Sequence, residues 1–218
     1  MKTTLLFITF LGFLLLSCNQ TDRAVIVKSK VTPESQTATT NSKSRRQLLV
    51  DELMQLQVVL ASNNQEKIAD IFPFPIANET IGIYMDDKLF NEQLEKNGNK
   101  VTRSMFINSY RDISENLQID QLNQLFTKLT IADLLKKDAL EHEATIKTEP
   151  CYQYYHLKIE GDLVTLTVGT NSNKNYRSIS LPEDEIPEND SSICEHVLWW
   201  KFTFDGNQLK LKEISGAG

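Results

Sequence analysis

The apolar residues of this chain change period once, near Glu141, and that change constrains the fold more than any other feature. Before it they recur at helical spacing. After it they alternate, as they do when successive side chains point to opposite faces of a strand. Ser44-x-x-Gln47 has the form of a capping box, in which two side chains satisfy each other's orphan backbone donors. Leu49, Leu53, Leu56 and Leu60 follow as one apolar stripe. Asn63-Asn64 restarts the chain into a second helix carrying Ile68, Ile71 and Phe72, which Pro73 and Pro75 stop. Residues 79–84 read as a short strand. Further helices are expected from Lys88 to Lys96, ended by Asn97-Gly98, and from a Thr102 cap through Phe106, Tyr110 and Ile113. Another is expected from an Asp120 cap through Leu122, Leu125, Phe126 and Leu129, its pattern reaching toward Leu135.

In the second half, strands are expected over 141–148, 152–159, 163–168, 193–204 and 208–214. Glu160-Gly161-Asp162 and Asp205-Gly206 supply hairpin turns, because Asp-Gly tolerates the positive φ that tight turns demand. Leu198, Trp200, Phe202 and Phe204 share a strand face that reads as core, and Leu209 and Leu211 should join them. The fold class is therefore α+β: N-terminal helices packed on a bent antiparallel sheet of about four to six strands from the C-terminal half. No internal repeat is visible.

Ahead of this domain the chain carries an address. Met1-Lys2 is a short positive region, and Leu5 to Leu16 is an unbroken apolar run, too short to span about 30 Å of hydrocarbon but suited to a signal peptide. Leu15-Leu16-Ser17-Cys18 then resembles the lipobox of bacterial lipoproteins, in which the cysteine becomes the lipidated N-terminus. Cysteine arithmetic agrees: of Cys18, Cys151 and Cys194, a lipidated Cys18 leaves an even pair. The expected organisation is a leader over 1–17, a flexible tether over 18–44 and one α+β domain over 45–218. The tether is rich in Thr, Ser, Asn and Gln, with one apolar patch from Ala24 to Val27. Asn19 is not the Asp that retains some lipoproteins at the inner membrane, which points to the outer membrane.

Charge narrows the function further. The 218 residues carry Lys+Arg 23 against Asp+Glu 29, a net −6, and removing the leader takes away one Lys and no acid. That balance argues against nucleic acid as a partner, because phosphate binding is powered by cationic contacts. It also leaves the lipid, rather than a basic surface, as the link to the membrane. With eight glycines and no GxGxxG or GxxxxGK[ST] pattern, no phosphate-cradling loop is indicated.

Phe72-Pro73-Phe74-Pro75, the short helices after it and a strand ending in Leu198-Trp199-Trp200-Lys201-Phe202 together resemble the nuclear-transport-factor-2-like superfamily. The likeness is in particular to small lipoproteins of Bacteroides-type bacteria. It covers about Arg46 to Ile214 and rests on short apolar motifs, with no catalytic signature. It implies helices packed into the concave side of a bent sheet, with a cone that can hold a pocket. It implies no single activity, since the superfamily includes isomerases, dehydratases and binding modules.

The residues that could carry chemistry are few. Cys151 and Cys194 sit at strand starts in an oxidising compartment; they either form a bridge or stand as two separate thiols, and spacing does not decide which. Cys194 with His196 could pair as thiol and imidazole on one strand face, yet both lie in line with the core residues Leu198 and Trp200. His142, His156 and His196 form no metal-ligand spacing, and no metal or cofactor is expected. His156 shares a strand face with Tyr152 and Tyr154, as a pocket wall or as a half-exposed aromatic face. Glu183, Asp184, Glu185, Glu188 and Asp190 crowd a loop that lacks EF-hand spacing and reads as solvated. Asp86-Asp87 reads as the start of a helix. A carboxylate opposite Tyr110 or Tyr155 would be needed for isomerase-type acid–base work. With no catalytic residues assigned, the sequence favours a non-enzymatic module that binds an envelope protein or polymer. A small-ligand carrier comes second and a small enzyme third. Oligomeric state is left open.

Overall fold

The computed structural model describes residues 43–143, 149–173 and 194–218, all within the compact unit Asn41–Gly218. The leader, Cys18, the tether up to residue 42 and the acidic loop of Glu183 to Asp190 lie outside the described residues, as do 144–148 and Ile193 of the expected strands. No helix among the described residues is long and apolar enough to cross a membrane.

Helix α1 (Arg45–Ala61) opens at Ser44, whose Oγ accepts from Gln47 N at 3.1 Å. Only half of the expected capping box is built. The Gln47 side chain turns forward to donate to Asp51 Oδ1 at 2.9 Å, where it helps the Lys43 ammonium hold that carboxyl below its ordinary range. Leu49, Leu53, Leu56 and Leu60 are buried, with Val50 beside them. Helix α2 (Gln65–Ala69) is capped by Asn64, and the chain leaves it through Phe72-Pro73-Phe74-Pro75, with a cis peptide bond between Phe74 and Pro75.

The strand expected over 79–84 is absent, and this expectation is corrected. The pairing lies earlier, where β1 (Ile76–Ala77) meets β2 (Lys100–Val101) in a two-stranded ribbon. Residues Asn78–Ile81 instead form a helical turn, α3, stopped by Gly82 in the left-handed region at φ 61°. There Gly82 N donates to Asn78 O at 2.7 Å, and a side chain at this φ would be strained. Helix α4 (Lys88–Lys96) has the expected bounds, with Asp87 Oδ1 accepting from Leu89 N and Phe90 N. The helix expected after Thr102 is two, α5 (Arg103–Asn108) and α6 (Tyr110–Asn116), which turn at Ser109, whose N–H still donates to Met105 O and whose carbonyl accepts from Ile113 N. Helix α7 (Ile119–Lys128) is entered through Gln118 in the left-handed region, not through an Asp120 cap. Asp120 sits in the first turn, where a carboxylate still favours the exposed N–H groups. Leu129 is extended, so Ile131–Leu135 is a separate 3-10 turn.

Strands β3 (Ala139–Glu143), β4 (Cys151–Glu160), β5 (Leu163–Ser172), β6 (His196–Phe204) and β7 (Leu209–Ala217) form an antiparallel sheet in sequential order. The fold is α+β, with the helices N-terminal to this five-stranded sheet. The β4–β5 turn is the tight one, since Glu160 pairs with Leu163 around Gly161-Asp162. The β6–β7 turn is longer: Phe204 pairs with Leu209, and Asp205 Oδ1 braces the loop between them by accepting from Asn207 N and Gln208 N. A bulge leaves Lys212 unpaired between Leu211, opposite Phe202, and Glu213, opposite Lys201. It resets the alternation, so that Leu211 and then Ile214 face inward.

One face of the sheet is the core. Leu157, Val164, Leu166, Trp200, Phe202 and Phe204 are buried there, and α7 packs on the β4 and β5 strands. Each such side chain contributes about 1.5–3 kcal/mol by leaving water. Phe72, Phe106 and Trp200 meet in the middle, with ring centroids 4.7 Å apart for the first two and 5.8 Å for Phe72 and Trp200. Cys151 and Cys194 are joined by a disulfide with Cα atoms 6.1 Å apart. Ser172, ending the strand between them, accepts from Cys194 N at 3.1 Å. Closing a 43-residue separation is worth about 4 kcal/mol in the chain-entropy account of cross-links.

Candidate binding surface

A loop follows Gly82, and its backbone is held from three directions by asparagines. Asn78 Nδ2 of α3 donates to Ile83 O at 2.9 Å. Asn116 Nδ2 of α6 donates to Tyr84 O at 2.7 Å, and Asn91 Nδ2 of α4 donates to Met85 O at 3.0 Å. Asn116 also accepts from Tyr84 N at 3.4 Å through Oδ1, so both polar groups of the Tyr84 backbone are engaged. Ile83 points inward and is buried. Tyr84 points outward with 81% of its surface exposed, the highest value among the exposed large apolar side chains described; Leu89, on α4, follows at 70%. The clamp has a cost. Asn78 Oδ1 is buried with no hydrogen-bond partner, a loss of about 1–3 kcal/mol that the loop carries.

Two clefts open beside this ring and share Asn78 and Tyr84 as walls. One, of about 500 Å³, is floored by Ile83 and Leu94 and edged by Asp86 and Asn91. The other, of about 510 Å³, lies toward the α4–β2 turn, edged by Glu79, Asn99 and Lys100. Both are open to solvent; the first is lined mainly by apolar side chains, the second mainly by polar ones. None of this was legible as a site in the sequence. The three amides lie 5, 6 and 32 residues from the carbonyls they hold, and Ile-Gly-Ile-Tyr reads locally as a strand.

Apart from Asp86, the residues that the sequence singled out fall elsewhere. The disulfide occupies the Cys194 sulfur, so the thiol–imidazole pair with His196 is not assembled. His196 Nε2 is buried without a partner. Among the described residues no three His, Cys, Asp or Glu side chains gather to hold a metal. Tyr154, His156 and Trp199 lie on the sheet face opposite the core, the alternate positions to Tyr155, Leu157 and Trp200. There the Tyr154 ring lies flat over Gly169, where a Cβ would come within 2.4 Å of Tyr154 Cζ. Burial raises the pKa of the Tyr154 phenol.

Tyr155 is buried at 2% exposure, but among the described residues no carboxylate contact to its hydroxyl is seen. Its hydroxyl meets the side-chain amides of Gln121 at 3.0 Å, Gln124 at 2.9 Å and Gln153 at 2.7 Å. One phenol proton serves one amide oxygen, so the other two amides must present N–H to the phenol oxygen. The nest is satisfied and neutral, and burial keeps the phenol pKa raised. Tyr110 is also raised by burial, opposed by a Ser114 hydrogen bond and aided by the charge of Asp120, which is itself exposed. Among the described residues neither tyrosine is paired with the buried carboxylate that general-base chemistry would use. Comparison with known protein families, with curated proteins and with solved structures finds no match for this chain.

Proposed function

We propose that this chain is an envelope lipoprotein, lipidated at Cys18 and held at the outer membrane, whose folded domain is a non-enzymatic module that binds an envelope protein or polymer. The observation that carries the binding role is Tyr84: a large aromatic side chain left 81% exposed on a backbone fixed by three amide side chains. A rigid, exposed aromatic loses little conformational freedom on docking, so more of its contact energy survives as affinity. The leader, the small residue before Cys18 and the acidic balance support the anchor.

The test places a photo-crosslinking amino acid at position 84 of the full chain and irradiates intact cells of its host. A discrete adduct at 84, absent with the same probe at Val58 (62% exposed on α1), is the expected result. Equal labelling at both positions overturns the docking role. The anchor is tested separately, by incorporation of an alkynyl fatty acid that Cys18→Ala abolishes.

A further inference from the structure

We infer that the Tyr84 loop and its two clefts bind a neutral oligosaccharide, one sugar stacking on the Tyr84 ring while its neighbours fill the cleft on either side. This deepens, and rests on, the binding role proposed above. A pyranose offers an apolar C–H face and a rim of hydroxyls that both donate and accept. An exposed aromatic ring matches the first, and planar amides and carboxylates match the second. The clefts supply that rim: Asn91 and Asp86 on one side, Asn99, Glu79 and Lys100 on the other. Volumes of about 500 and 510 Å³ flanking one ring favour a chain of sugars over a single one.

Two observations separate this ligand from a strand-adding peptide and from an anionic polymer. A peptide adding to the loop as a strand would use main-chain groups, but Asn78, Asn116 and Asn91 already engage the carbonyls of 83, 84 and 85 and the amide of Tyr84. An anionic polymer would meet Asp86 and Glu79 against one Lys100, on a chain of net charge −6. A neutral polyhydroxylated ligand is repelled by neither.

The test titrates the full chain in detergent with neutral hexasaccharides of glucose, xylose, mannose and N-acetylglucosamine, read by saturation-transfer NMR and calorimetry. Saturable binding of at least one is expected, weakened about tenfold or more by Tyr84→Ala and within about threefold of wild type for Tyr84→Phe. A melting curve unchanged by Tyr84→Ala excludes unfolding as the cause. No binding by any of the four, or binding undiminished in Tyr84→Ala, overturns the oligosaccharide assignment. If position 84 still crosslinks to a protein in cells, the binding role stands with a different ligand. If it crosslinks to nothing, both fail.

Discussion

Two tyrosines of this protein are each surrounded by three side-chain amides, with opposite results. Around Tyr155 the amides are glutamines, and they meet the phenol hydroxyl, so the ring is sealed at 2% exposure between α7 and β4. Around Tyr84 they are asparagines, and they grip the main chain of residues 83 to 85, so the ring is left outside at 81%. The chemistry of the holding groups is the same. What differs is whether they satisfy the side chain or the backbone: satisfying a phenol makes it part of the core, whereas satisfying its backbone fixes where the phenol is displayed.

The sharpest way to break that comparison is to remove both rings. Tyr155→Ala should cost about 3–5 kcal/mol in urea unfolding, for a lost core ring and a cavity. Tyr84→Ala should stay within about 0.5 kcal/mol of wild type. Comparable losses would mean that Tyr84 is structural. Removing only the hydroxyls isolates the amides: Tyr155→Phe takes the shared partner from the half-buried Gln121 and Gln153 and the exposed Gln124 and should cost about 0.5–1.5 kcal/mol, while Tyr84→Phe should leave stability unchanged. Asn116→Ala tests the clamp. A loss of about 0.5–1.5 kcal/mol, with faster amide exchange at Tyr84 and none at Tyr155, is expected.

Acid should give the smallest effect. Amides do not titrate, so both tyrosine sites should keep their geometry as pH falls. One acid-sensitive place is the β6–β7 hairpin, where the Lys210 ammonium and the Asn207 and Gln208 N–H groups hold Asp205 well below the usual carboxylate range. A depressed folded pKa adds stability that is complete above the unfolded value, about 3.9 for Asp, and is lost progressively as pH falls from there through the folded value. Lys201 lowers Glu213 in the same sense. Protection against amide exchange, corrected for the intrinsic rate at each pH, should therefore fall at Asn207 and Gln208 before Tyr84 as the pH is lowered from about 5, and Asp205→Asn should remove that order.

The layer plan was readable in the sequence because it depends on local period. Helix α4 has the bounds that Asp87 and Asn97-Gly98 imply, and Leu198, Trp200, Phe202 and Phe204 are buried as their alternation requires. The bulge at Lys212 was not readable, since it is set by pairing with β6 across the hairpin. Nor were the two tyrosine sites. The glutamines lie 2, 31 and 34 residues from Tyr155, and the farthest asparagine lies 32 from Tyr84. Contacts at such separations follow from packing, on which periodicity is silent. Gly82 and Asn78 carried a faint signal, as a helix stop and an amide beside an exposed tyrosine, but Ile-Gly-Ile-Tyr outweighed it as a strand pattern.

Arg45 and Arg46 sit where the chain enters the domain. Arg45 donates to Asp162 Oδ1 in the β4–β5 turn at 2.7 Å and to Phe204 O beside the β6–β7 turn at 2.9 Å, its guanidinium lying over the Phe204 ring. Arg46 donates to Leu134 O and Lys137 O and pairs with Asp138, the residue before β3. Any pull on the chain from its N-terminal side would therefore be shared at once among two hairpins and the start of β3, rather than peeling α1 away turn by turn. Mechanically, the first two residues of the helix act as a bolt in series with the buried leucines of α1, so the force needed to extract the helix should fall measurably when both arginines are replaced by alanine.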